Sequence, residues 1–293
     1  MPVLTQALPS VDAYVDFFSR QTLPVLRRTA NEFTRMAQNP EYVGHKEIAS
    51  TVLSDPLMTM RLLSHIETHR ANSQNHDIVT VHGALVMMGI EPFFTAFHDL
   101  PTVEAALAAK PQALLGLLKV VGHARQASHY AHDWAVVRHD LDVDEITVAA
   151  LLHQATDMVF WIYAPELTQR VYNMQRADRK LRSTVAQRVV FGTTAHDMQL
   201  ALIRAWRLPE LLVHLLDESQ AANPRVRTIT LAADFARHVA QGWHNAALPD
   251  DVANLDALLR IPPEALLRRI GAPKEAWPRL LPAAQAALSA SLS

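Results

Sequence analysis

Fifteen histidines and no cysteine among 293 residues confine any metal chemistry of this chain to imidazole and carboxylate donors. Disulfides, thiolate zinc sites, iron–sulfur clusters and cysteine nucleophiles are excluded with the thiol. His65 and His69 stand four apart on a predicted helix, a spacing that lets two imidazoles meet one ion from one face. A third ligand must then arrive from elsewhere, because Glu67 falls on the opposite face; two polar residues at a helix end is the plainer reading. His129 and His132, followed by Asp133, are read the same way. Arg176, Arg179, Lys180 and Arg182 form a basic turn able to contact a phosphate or a partner's acidic surface, although such runs are mostly solvated helix faces. The most informative stretch is Ala149 to Asp157, AALLHQATD, in which Ile146, Ala149, Ala150, His153 and Asp157 fall on one predicted helix stripe and turn His153 inward. No GxxxxGK[ST] phosphate loop, GxGxxG, HExxH or GxSxG is present, which argues against P-loop nucleotide hydrolysis and serine-hydrolase chemistry.

The elements that must position these groups are helical. Only 8 Gly and no Asn-Gly or Asp-Gly turn occur, while 17 Pro separate periodic segments of helical length, so the predicted fold class is all-α. Lys46 to Leu53 carries Ile48, Val52 and Leu53 on one side; Asp55-Pro56 then ends one helix and starts the next, with Leu57, Met60, Leu63 and Ile66 as its buried face. Arg70 to Asp77 contains no apolar residue and reads as an exposed loop, after which Ile78 to Ile90 resumes as a buried helix closed by Gly89 and Pro92. Further on, His196, Leu200 and Ile203 share a stripe, Pro209 opens a helix, and Ile229, Ala233, Ala236 and Ala240 line a close-packing face. His244 to Asp251 reads as a linker before short helices broken by prolines.

The apolar AVILMFWYC set makes up 49% of the chain and charged residues 19%, which describes a packed globular protein rather than a disordered one. A chain of this length buries roughly three-quarters of its unfolded surface. With a net charge of -2 no global field draws in polyanions, so non-specific nucleic-acid or anionic-membrane binding is not the expected role. The run Ala84 to Ile90 stops at Glu91, well short of the roughly 18 residues of a membrane helix, and the start of the chain lacks a basic leader. The expectation is a cytoplasmic protein without membrane contact.

The segment around His153 resembles the helix by which the HD superfamily of metal-dependent phosphohydrolases supplies adjacent His and Asp ligands. More specifically, the chain resembles the HDOD family, the HD-related output domains of bacterial signalling proteins. Leu23-Pro24-Val25 opening the first helix, the Asn39-Pro40 turn, the run from Ile48 through Asp55-Pro56-Leu57 to Leu63, and Ile78 to Ile90 follow that family's order. Gly192 to His196, Trp206 to Glu210 and Arg225 to Asp234 continue it, so the resemblance covers about residues 20 to 245. It implies an HD-like multi-helix domain with an N-terminal helical subdomain: residues 1–110, then an HD-like subdomain over 111–245 and a helical extension over 246–293.

Carried over residue by residue, the resemblance implies a degenerate metal site. Gln154 stands where active HD hydrolases have the Asp that binds or bridges metal, and a neutral amide oxygen cannot replace an anionic bridge. Thr156 replaces a usual Gly, Asp157 a usual basic residue, and Asp217-Glu218 the paired His that many members have, with His214 close by. His123 or its neighbour Gly122 falls near the first His position, a register the sequence leaves open. His153 and His196 are the recognisable survivors, expected as inward-facing core histidines; Asp157, one turn from His153, is an expected hydrogen-bond partner. The residues His123, His153, Gln154, Asp157 and His196 thus outline a vestigial pocket with no metal and no cofactor, where a small nucleotide is the weakest-supported occupant.

Three functions follow as expectations. The first is a non-catalytic bacterial signalling module that binds a signalling protein in trans. The second is a divergent HD-type phosphohydrolase or phosphodiesterase acting on a nucleotide or cyclic dinucleotide. The third is a nucleic-acid-binding regulator using the Arg176 to Arg182 turn, which the near-neutral charge disfavours.

Overall fold

The computed structural model describes residues 2–69, 79–178 and 180–285. The fold is all-α; the β-type pairing among the described residues is an isolated bridge between Val25 and Thr102. In chain order the helices begin with α1 (Val11–Ser19), α2 (Arg27–Met36), α3 (His45–Leu53), α4 (Pro56–His69), α5 (Val81–Met88), α6 (Ile90–Ala96) and α7 (Val103–Ala106). Then follow α8 (Pro111–Val137), α9 (Val143–Leu152), α10 (Ala155–Tyr163), α11 (Pro165–Ala177), α12 (Ser183–Phe191), α13 (Ala195–Ala205) and α14 (Glu210–Leu215). The chain continues with α15 (Pro224–Val239), α16 (Leu248–Leu259), α17 (Pro263–Arg269) and α18 (Trp277–Leu280). Proline opens α4, α8, α11, α15 and α17, where its missing N–H has no intrahelical partner to lose. Thr194 and Asp197 form a reciprocal capping box that starts α13.

These helices make up two compact units interleaved in sequence, Met1–Gly122 with Gln154–His214, and His123–His153 with Leu215–Ser293. In the first unit, Phe18, Phe160 and Phe191 gather from α1, α10 and α12, with the Phe160 and Phe191 rings stacked at 4.4 Å. The Tyr14 hydroxyl donates to the Phe191 carbonyl at 2.9 Å, and the Tyr163 hydroxyl donates to Thr22 O at 2.8 Å. In the second unit α15 packs against α9 and α16, and Tyr130, Trp134 and Phe235 form its aromatic centre. Arg225 ties the start of α15 to α9 through Glu145, at 2.7 Å.

Four local expectations are corrected. Leu23-Pro24-Val25 does not open the first helix: α1 precedes it, and Val25 is extended, donating to Pro101 O and accepting from Val103 N–H. Pro92 does not close α5, which ends on Gly89 at φ +82°; it sits in the first turn of α6, where proline is tolerated. The linker expected from His244 to Asp251 contains the start of α16, whose Pro249, Asp250 and Asp251 are first-turn residues. Asp251 is buried there and lies 2.7 Å from the Nδ1 of His238. The helix expected to run through His153 to Asp157 breaks at His153-Gln154 into α9 and α10. The polar stretch Arg70 to Asp77 and Ile78 lie outside the described residues.

The first unit is organised around a carboxylate with no solvent exposure. Asp55 Oδ2 accepts from Leu26 N–H at 2.8 Å, and Oδ1 accepts from Leu57 and Met58 N–H at 3.0 and 3.3 Å. It therefore caps α4 and fixes the chain entering α2 at once. Burial pushes the Asp55 carboxyl above the usual carboxylate range, while the hydrogen bonds from Leu26, Thr29, Met58 and Leu57 pull it back. Elsewhere in this unit Gly116 has no room for a side chain, since a Cβ would lie 2.5 Å from the Trp161 ring.

Asp55→Ala should lower unfolding free energy by about 3 kcal/mol in chemical denaturation, because the cap is lost and buried N–H groups are orphaned. Gly116→Ala should cost about 1–3 kcal/mol by overpacking, with a change in Trp161 fluorescence.

Candidate functional site

The residues that the family resemblance singles out are divided between the two units. His123 and His153 belong to the second, with Glu218; Gln154, Asp157 and His196 belong to the first.

In the second unit His153 follows the last residue of α9, half-buried, with its Nε2 3.1 Å from Glu218 Oε1. Glu218 belongs to the Asp217-Glu218 pair that the resemblance sets against the family's paired His. His123 is half-buried on α8, whereas Gly122 is exposed with open space around it.

In the first unit α10 is buried on almost every side, and Asp157 is the one residue of that helix that is not fully buried. Its Oδ1 accepts from Gln187 Nε2 at 3.2 Å, and Gln187 Oε1 accepts from the Ala195 N–H at 2.9 Å. Asp157 thus takes part in a relay from α10 through α12 to the start of α13, rather than following His153 on one helix. The break before α10 is what separates them. Gln154 immediately precedes α10; its Oε1 is buried and accepts no hydrogen bond among the described residues. His196, expected to face inward, is exposed. The buried stripe of α13 runs through Ala195, Met198, Gln199, Leu202 and Ile203, so His196 is turned away from it by one helical step.

Sequence reasoning missed Gln187, the residue that joins Asp157 to α13. Glutamine carries no spacing signature, and only the packing of α12 brings it there.

Among the described residues no group of three or more His, Asp and Glu side chains could hold a metal ion. This donor set does not fit the metal centre that the HD superfamily implies: the adjacent anionic donor is a neutral amide, and Asp157 is engaged by Gln187. The other candidates are placed as follows. His132 Nδ1 lies 3.2 Å from Thr147 Oγ1, Asp133 pairs with Arg269, and His129 is exposed. Arg176, Lys180 and Arg182 are exposed around the α11 to α12 turn, and Arg179 lies outside the described residues.

His65 and His69 on α4 have their rings 4.0 Å apart. Burial holds the His65 imidazole below its ordinary value, and His69 and Arg61 lower it further. Unfolded His65 takes up a proton near the ordinary 6.5, before the folded residue does. Its contribution to stability is therefore fully present above that value and is lost as pH falls through it toward the folded value. In an NMR titration His65 should titrate below an ordinary histidine, and His69→Gln should move it upward.

The HDOD domain family matches residues 23–222. No match is found among curated proteins. Among solved structures, the MmoQ response regulator of Methylococcus capsulatus str. Bath is 21% identical, with a TM-score of 0.60 over 89% of this chain and 98% of its own. A virulence factor of Campylobacter jejuni subsp. jejuni is 16% identical, with a TM-score of 0.63 over 89% of this chain and 93% of its own. These likenesses are of fold. No helix among the described residues is long and apolar enough to cross a membrane. Matched over most of its length, from the strand-like entry at Leu23 to the turn after Glu218, this chain belongs to the HDOD domain family.

Proposed function

We propose that the chain is a cytoplasmic, non-catalytic regulatory module of a bacterial signalling pathway, working through contact with a signalling protein in trans. The observation that carries this reading is Gln154, a neutral amide at the position where the chemistry of the superfamily needs an anionic metal ligand. Two further features support it. His153 Nε2 faces the Glu218 carboxylate at 3.1 Å, and Asp157 accepts a hydrogen bond from Gln187. A similarly folded protein, MmoQ, carries the name of response regulator, which supports a place in signalling.

Removal of the bridging carboxylate leaves the helical scaffold intact, because the scaffold rests on its apolar faces and its caps. Such a protein keeps the surface of an HDOD domain and loses the means to position a hydroxide for attack on phosphorus. The first unit exposes apolar residues such as Val185 and Val189 on α12.

Metal analysis by plasma mass spectrometry, on untagged protein from medium supplemented with iron, manganese and zinc, should give content far below stoichiometry. No metal-dependent turnover of nucleotides or cyclic dinucleotides is expected. Near-stoichiometric metal that disappears in His153→Ala, or any such turnover, would establish the phosphohydrolase reading instead.

A further inference from the structure

A cleft of about 390 Å³ opens within the first unit between α4, the chain after α1, and the end of α13. Its walls carry four basic side chains, Arg61, His65, His69 and Arg207, and no carboxylate. Among the described residues none of the four forms an ion pair. The guanidinium groups of Arg61 and Arg207 are cationic, and two cations facing one concave site favour an anion there.

The cleft is held in shape by its own backbone contacts. Arg61 Nη1 donates to Leu23 O at 2.6 Å, leaving its Nε buried without a partner. Ser64 Oγ donates to Trp206 O at 2.6 Å, so α4 and the end of α13 meet directly. His65 packs edge-on against Phe97 at 5.3 Å. Arg207 has a φ of +53°, the left-handed conformation in which a helix-ending glycine is the cheaper residue. An arginine kept there places a cation at the cleft, at a backbone cost that its side chain must offset.

We propose that this cleft binds a small phosphate monoester, with the phosphate held by Arg61, His69 and Arg207 and the organic body against Phe97 and Trp206. Two guanidinium groups carry fixed charge matching a phosphate dianion, and their forked donors suit its oxygens better than a single carboxylate. The volume lies within the range of small-molecule sites and exceeds what inorganic phosphate fills. Leu23, Met60, Phe97 and Trp206 supply the apolar wall that an ester's body needs. The assignment does not rest on the absence of catalysis or on a protein partner, and its failure would leave that reading untouched.

Isothermal titration calorimetry of the full chain against adenosine 5′-monophosphate, ribose 5-phosphate, inorganic phosphate and adenosine tests it. Both esters should bind saturably, inorganic phosphate about tenfold or more weakly, and adenosine not at all. Arg207→Gly should weaken the esters by about tenfold or more while leaving the unfolding midpoint unchanged or raised, since glycine relaxes the left-handed residue. His69→Gln should weaken them by a smaller factor, and Arg176→Gln, on the exposed basic turn, should change nothing. Absence of ester binding at millimolar concentration, adenosine binding as well as the esters, or unchanged affinity in both cleft variants would overturn the assignment.

Discussion

The first unit depends on a carboxylate taken wholly out of water. Asp55 accepts backbone N–H groups from the segment before α2 and from the first turn of α4, so a single side chain satisfies donors that helix geometry otherwise leaves orphaned. Desolvation alone would make such a group a liability; several donors within hydrogen-bond reach make it a fixed point. From it the chain runs to Arg61 and Leu23, and the extended stretch at Val25 is then secured on both sides by Pro101 and Val103. The cleft walled by α4 inherits its shape from this arrangement.

The polar residues at the positions singled out by the resemblance to HD hydrolases differ in their surroundings. A metal site needs several donors aimed at one point, each deprotonated and each free of a stronger engagement. Here His153 meets Glu218, Asp157 meets Gln187, and His196 is exposed. Asp157 is hydrogen-bonded and His196 is exposed, whereas the buried His153 Nε2 makes no hydrogen bond among the described residues.

Much of the fold was legible because helix punctuation is local. Asp55-Pro56 and Gly89 act on the dihedral angles and orphaned N–H groups of a single turn. The same local reading failed at Pro92 and at Asp250-Asp251, where one residue type serves equally to end one element and to begin the next. It failed again at His153-Gln154, since neither residue is a helix breaker and the break reflects how Ala155 to Tyr163 is enclosed. His196 was assigned to the wrong face because two stripes one helical step apart both carry apolar residues.

By itself the sequence determined the helical class, the start of α4 at Pro56, and the family, through the ordered run of motifs from Leu23 to Asp234. It also determined that Gln154 is neutral, since charge is a property of residue type. Tertiary structure alone decided that the units interleave in sequence, that Glu218 stands at His153, and that Gln187 bridges Asp157 to α13. It alone gathered Arg61, His69 and Arg207 into one cleft without a carboxylate. The physical reason is range: caps and propensities act within a turn, whereas the meeting of distant side chains is set by how buried faces pack, and that information is spread over the whole chain.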